Sequence, residues 1–321
     1  MTTNLVSARA RYAAFRKTQP RSPRLTRRTV QARGLNFAVF TTPEIPGAPP
    51  LVCVNGGMIY SHALLWPALS PLAAQRQLIL YDLRGRGASE AAPGQRQSRI
   101  EFDAGDLPAL REALGIPRWD ILGHSWGGGI AMLAAARDPL GVRRLALVDA
   151  VGSTSDWVAG LHDAALARLA SVAAVSASRG DPNLALAILE SLDPRTLHDD
   201  NPQTHAEYSR ALYPAWFADG ELATGFEPPR EASQTGAAVA ARLRREGYDW
   251  RNDIRSIAAT TLLVHGAQDI LSPDLARATA AIIPRAQLAI IEDSGHMPFW
   301  EQPADFFSHV EHFLSARNLG A

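Results

Sequence analysis

Short apolar runs rich in Val, Ile and Leu recur along the chain between longer segments of helical period. Buried parallel strands and crossover helices alternate this way in sequence. The runs that predict strands are Gln31–Thr41, Pro50–Asn55, Leu78–Asp82, Trp119–Gly123, Arg144–Asp149, Thr261–His265 and Gln287–Ile291. Helical patterns are clearest over Ile100–Leu114, Gly128–Arg137, Asp274–Ile283 and Ala304–Leu314. Ser272-Pro273-Asp274 supplies a cap followed by proline at one helix start. This order predicts an α/β protein built on a mostly parallel, doubly wound sheet.

The alternation stops between Asp149 and Thr261, where Ala-rich helical stretches are broken at Pro182, Pro194, Pro202 and Pro214. The pattern therefore predicts a core over residues 29–151 and 251–321, interrupted by a helical cap over residues 152–250. The cap carries Trp157, Tyr208, Tyr213, Trp216, Phe217 and Trp250, aromatics that serve a pocket roof or the cap's own core.

Composition narrows the function classes. The 321 residues hold 32 basic and 32 acidic side chains and 46% hydrophobic residues, the profile of an ordinary globular protein. A balanced charge gives no global field for nucleic acid or an anionic membrane, so the expected partner is a small-molecule substrate. One local asymmetry stands out: residues 1–43 contain nine Arg or Lys and no Asp or Glu. Pro20 and Pro23 interrupt this stretch and no apolar segment follows it, so residues 1–28 are expected to form a solvated basic extension rather than a secretory signal. The single Cys53, inside an apolar run, excludes an intramolecular disulfide and fits a cytoplasmic location. No stretch reaches the roughly 18 apolar residues that suggest a membrane span.

The chemistry concentrates where Trp119–Gly123 runs into a helix through Gly123-His124-Ser125-Trp126-Gly127. A serine at a sharp strand-to-helix turn is strained and exposed at the sheet's carboxyl edge, and glycines two residues either side let neighbouring backbone approach. Serine needs a histidine to take its proton and an acid to orient that histidine. Asp269, just past the strand Thr261–His265, is the expected acid, and His296, in Ser294-Gly295-His296-Met297-Pro298, the expected base. Asp149, at the end of another strand, is the rival acid. The backbone amides of Trp126 and of Gly57, in the turn Asn55-Gly56-Gly57-Met58, are the expected oxyanion donors, with Met58 second to Gly57. Met58, Trp157, Tyr213, Trp216 and Met297 are candidates for the substrate pocket. The Gly85-Arg86-Gly87 and Gly127–Gly129 stretches lack the lysine and spacing of a phosphate loop, and the nine histidines lack zinc-site spacing. Neither a cofactor nor a metal is expected.

Together Asn55-Gly56-Gly57, Tyr81-Asp82-Leu83-Arg84-Gly85-Arg86-Gly87-Ala88-Ser89, the Ser125 elbow, Asp269 and Ser294-Gly295-His296 resemble the α/β-hydrolase superfamily over about residues 30 to 316. Ser-Trp-Gly-Gly, the double glycine and the helical cap look most similar to proline-iminopeptidase-like hydrolases and related esterases. The resemblance implies the α/β-hydrolase fold and acyl transfer through an acyl-serine, without a cofactor. Two departures bear on substrate: Asn55 stands where His usually precedes the double glycine, and Met58-Ile59 where the peptidase branch tends to have Pro-Gly. An aminopeptidase also needs cap carboxylates for the substrate amine, for which Glu207, Asp219, Glu221 and Glu227 are the candidates. Cleavage of a small carboxylic ester is the expected activity, ahead of aminopeptidase activity. Carbon–carbon bond hydrolases, perhydrolases and hydroxynitrile lyases resemble the pattern with the same three residues, whereas a non-catalytic receptor on this fold often loses one of them.

Overall fold

A computed structural model describes residues 7–176, 183–223 and 225–315. The chain opens with helix α1 (Ala8–Thr18) and strands β1 (Thr26–Ala32) and β2 (Leu35–Thr41), followed by β3 (Leu51–Val54) and β4 (Leu78–Tyr81). Then come α2 (Ile100–Ala113), β5 (Trp119–His124), α3 (Trp126–Arg137) and β6 (Val142–Val148). Among the described residues, six α-helices lie between β6 and the next strand: α4 (Trp157–Ser176), α5 (Asn183–Ser191), α6 (Pro202–Leu212), α7 (Gly220–Ala223), α8 (Gln234–Glu246) and α9 (Arg251–Ile254). The chain then returns through β7 (Thr260–Gly266), α10 (Pro273–Ile282), β8 (Ala286–Ile291), α11 (Pro298–Glu301) and α12 (Pro303–Ser315).

The eight strands form one sheet in the order β1-β2-β4-β3-β5-β6-β7-β8, parallel from β4 to β8 and antiparallel at the β1 and β2 end. The expected single strand Gln31–Thr41 is two strands. Arg33 at φ 49° and Gly34 at φ 76° form a two-residue reversal, and Thr26 pairs back onto Thr41.

Strand residues alternate between two apolar layers, as a sheet covered on both faces requires. Val52, Val54, Ile79, Tyr81 and Ile121 pack on one side with Ile100 and Leu107 of α2 and Ile130 of α3. Leu51, Cys53, Leu78, Leu80 and Leu122 pack on the other with Phe306, Val310 and Phe313 of α12. The buried Cys53 thiol is pushed up to about 12 by loss of water, so it packs as an apolar group.

The basic N-terminal stretch departs from the expected solvated arm. Ala8 is buried and its amide donates to Asp219 Oδ2 at 3.1 Å. Phe15 stacks on Phe307 with centroids 5.3 Å apart, and Tyr12 meets Phe226 edge-on at 5.3 Å. An amphipathic helix thus spends its apolar side chains on α12 and on the segment after α7, which charge counting alone does not reveal. No described helix is long and apolar enough to cross a membrane.

Candidate active site

β5 delivers Ser125 directly into α3. Ser125 sits at φ 55°, ψ −122°, a conformation costly for a residue with a side chain and maintained by the surrounding packing. Its amide donates to the Val148 carbonyl of β6 at 2.9 Å, which locks the turn to the neighbouring strand. Gly127 is required here because a Cβ on it would lie 2.2 Å from the Val54 carbonyl oxygen. Trp126 is the first residue of α3, so its N–H has no intrahelical acceptor.

The turn after β3 faces this elbow. A Cβ on Gly56 would stand 2.6 Å from Ser125 Cβ, so the two turns touch. Gly57 has φ 76° and Met58 φ 50°. Neither the Gly57 nor the Trp126 amide donates to a described protein acceptor. The turn is pinned from outside: Asn55 Nδ2 donates to the Tyr60 carbonyl at 2.9 Å and Arg86 Nε to the Met58 carbonyl at 2.7 Å. Arg86 is itself fixed by Asp103, to whose carboxylate oxygens it donates at 2.9 and 3.1 Å.

His296 and Asp269 come together as expected, with Nδ1 of the histidine 2.7 Å from Oδ2 of the aspartate and both residues buried. Burial drives the Asp269 carboxyl upward, but the charge and hydrogen bond of His296, aided by His265 and the Leu271 amide, bring it below the ordinary carboxylate range. Asp149 lies beside this pair, each of the three offering an atom within 4.8 Å of the others'. Asp149 Oδ1 accepts the Gly266 N–H at 2.8 Å, and its carboxyl also meets that of Asp269. Burial and the adjacent Asp269 charge push the Asp149 carboxyl well above its usual range, opposite in direction to Asp269.

Three contacts absent from the sequence reading hold the His296 loop. His124 Nε2 lies 3.0 Å from the His296 carbonyl, and burial lowers His124 to about 3, which keeps its ring neutral and Nε2 a donor. Trp216 stacks on the His296 ring at 4.2 Å and accepts the His296 amide at 2.7 Å. Glu301, fully buried, accepts N–H groups of Gly295 at 2.7 Å, Ala218 at 2.7 Å and Asp219 at 3.1 Å, tying the histidine loop to the inserted helices. An acidic residue set between Phe299-Trp300 and Pro303 was the available signal, since a carboxylate in an apolar run needs buried donors.

Ser125 opens onto a cavity with about 700 Å³ of space, part of it open solvent. Gly57, Met58, Trp126, Trp157 and Trp216 line it among others. Tyr213 and Met297 do not. Tyr213 packs edge-on against Phe217 at 5.6 Å, and Met297 is buried in the layer under α12.

The family described as the alpha/beta hydrolase fold matches residues 49–303. The chain belongs to this family. This α/β hydrolase is 32% identical over 245 residues to a 2-hydroxymuconate semialdehyde hydrolase of Pseudomonas putida, covering 75% of this chain and 77% of that protein. It is 25% identical over 279 residues to a proline iminopeptidase of Lactiplantibacillus plantarum, covering 84% and 93%. The solved proline iminopeptidase of Mycobacterium smegmatis superposes with a TM-score of 0.65 at 22% identity, over 90% of this chain and 97% of that one. Family and relatives make the chain a hydrolase enzyme of α/β fold.

Proposed function

We propose that this α/β hydrolase cleaves a small carboxylic ester through an acyl-serine intermediate, with Ser125 as nucleophile, His296 as base and Asp269 as orienting acid. The observation that carries the reading is the 2.7 Å contact of His296 Nδ1 with Asp269 Oδ2 behind a strained Ser125 that faces the cavity. With Nδ1 engaged, Nε2 is the nitrogen left to take the Ser125 proton.

As Ser125 Oγ bonds to the substrate carbonyl carbon, its proton passes to His296 Nε2. The carbonyl oxygen becomes an oxyanion that accepts the uncommitted N–H groups of Trp126 and Gly57, each worth roughly 3 kcal/mol. The imidazolium then protonates the departing alkoxide, and the same histidine activates the water that releases the acid. Asp269 stays ionised throughout and holds the proton on Nδ1.

Amide cleavage with recognition of a free amine receives less support, because the cavity lining contains no carboxylate among the described residues. Glu207 is exposed, Asp219 takes the Ala8 amide, and Glu227 forms an exposed pair with Arg230; the Glu221 side chain lies outside the described part. Carbon–carbon bond hydrolysis is the second reading, favoured by the 32% identity to the semialdehyde hydrolase and compatible with the same groups.

Turnover of methyl and p-nitrophenyl esters of increasing acyl length, measured beside prolyl and alanyl arylamides, tests the proposal. Ester turnover should dominate. Dominant arylamide turnover would make the peptidase reading the better one.

A further inference from the structure

Among the described residues, the cavity over Ser125 is lined by apolar and neutral polar groups, His205 and one cationic side chain, Arg244 on α8. The helix presents a stripe at four-residue spacing: Gly236, Ala240 and Arg244. Gly236 packs against the turn carrying Gly57, since a Cβ there would be 2.7 Å from the Met58 carbonyl oxygen. Ala240 lines the cavity and leaves it open. Arg244 follows about 12 Å along the helix axis from Gly236, at the rise of a regular helix.

Its neighbours in sequence have conventional partners: Arg242 pairs with Glu246 at 2.9 Å and Arg245 donates to the His198 carbonyl. Arg244 has no ion pair among the described residues. Its polar neighbour is the hydroxyl of Tyr208, over whose ring the guanidinium lies at 5.4 Å from the centroid. Burial pushes the guanidinium below its ordinary value and the nearby His205 below its own, so His205 adds no competing charge. A half-buried cation without a counter-ion is costly, and a bound anion removes that cost. Guanidinium binds carboxylate with two parallel hydrogen bonds, and the Tyr208 hydroxyl can donate beside it.

We infer that Arg244, with the Tyr208 hydroxyl, receives a substrate carboxylate remote from the scissile bond, so that the substrates are half-esters of dicarboxylic acids or acyl compounds of the same charge. This rests on the proposal that Ser125 attacks from the other end of the same cavity.

The test compares half-methyl esters of succinate, adipate and suberate with the corresponding dimethyl esters. For at least one chain length kcat/KM should favour the half-ester by about 10- to 100-fold, the range of a charged hydrogen-bonded pair. Arg244→Gln should bring the ratio close to one, and Arg244→Lys should retain part of it, with thermal unfolding recorded for both. Calorimetric titration of the Ser125→Ala protein with the same half-esters reads the anion site without turnover. A ratio that survives Arg244→Gln, or half-esters that bind the Ser125→Ala protein no better than dimethyl esters, overturns the inference while ester turnover upholds the ester reading. Binding lost on adding Arg244→Gln to the Ser125→Ala protein, with no ester turned over by the unaltered protein, upholds the anion site and overturns the ester reading instead.

Discussion

Trp216 lies flat on His296, with ring centroids 4.2 Å apart and 28° between the planes, and its carbonyl takes the His296 amide at 2.7 Å. The inserted helices therefore do more than roof the cavity. They hold the proposed base by both ring and backbone.

Removal of that ring should leave the backbone bond and free the imidazole to turn. Trp216→Ala is expected to lower kcat/KM for a preferred ester by about 10- to 100-fold, roughly 1.4 to 2.7 kcal/mol. Trp216→Phe should keep most of the activity. Steady-state kinetics on both variants checks this, and equal losses would point to bulk rather than a stacking face as the requirement.

The two neighbouring carboxyls should respond differently to neutralisation. Asp269→Asn removes the ionised acceptor of His296 Nδ1 and is expected to reduce kcat by about a thousandfold or more. Burial and the Asp269 charge raise the Asp149 carboxyl well above its usual range, favouring its neutral form, and an asparagine there can still accept the Gly266 N–H, so Asp149→Asn should cost little. Kinetics of the pair in parallel decides which aspartate orients the base; the reverse pattern would transfer the role to Asp149.

Glu301 predicts a pH signature in stability. Burial, reinforced by the Asp269 charge against three N–H donors, raises its carboxyl from 4.5 to about 7 in the folded chain. A raised folded value means the folded state binds the proton more tightly than the unfolded state. The Glu301 contribution is thus fully present below pH 4.5 and is lost as pH rises through about 7, amounting to at most about 3 kcal/mol. Urea unfolding at intervals from pH 4.5 to 8 should show this loss in the natural protein and a flatter profile in Glu301→Gln. Parallel profiles would remove Glu301 as the source.

The sheet and the placement of the proposed site residues were legible because strands and elbows follow local rules. Apolar runs mark β3 to β8, and a glycine-flanked serine between a strand and a helix marks α3's start. The chain order then leads to Asp269 and His296. The contacts around them were less visible because they join residues distant in sequence: Glu301 with Ala218, His124 with His296, Arg86 with Met58. Arg33-Gly34 also reversed a strand that periodicity alone kept whole, and α1 packed where its charge suggested solvent. Of the pocket candidates, Met58, Trp157 and Trp216 face the cavity, while Tyr213 and Met297 turn inward. Aromatic and methionine side chains fill cores as readily as pockets.

The central claim is a covalent one, and trapping it is the most direct test. The protein should react with a serine-directed fluorophosphonate to give a single adduct by intact mass, mapped by peptide sequencing to Ser125. Ser125→Ala should neither label nor hydrolyse ester. An adduct on another residue, or hydrolysis that persists in folded Ser125→Ala protein, would contradict the assignment of Ser125 as nucleophile.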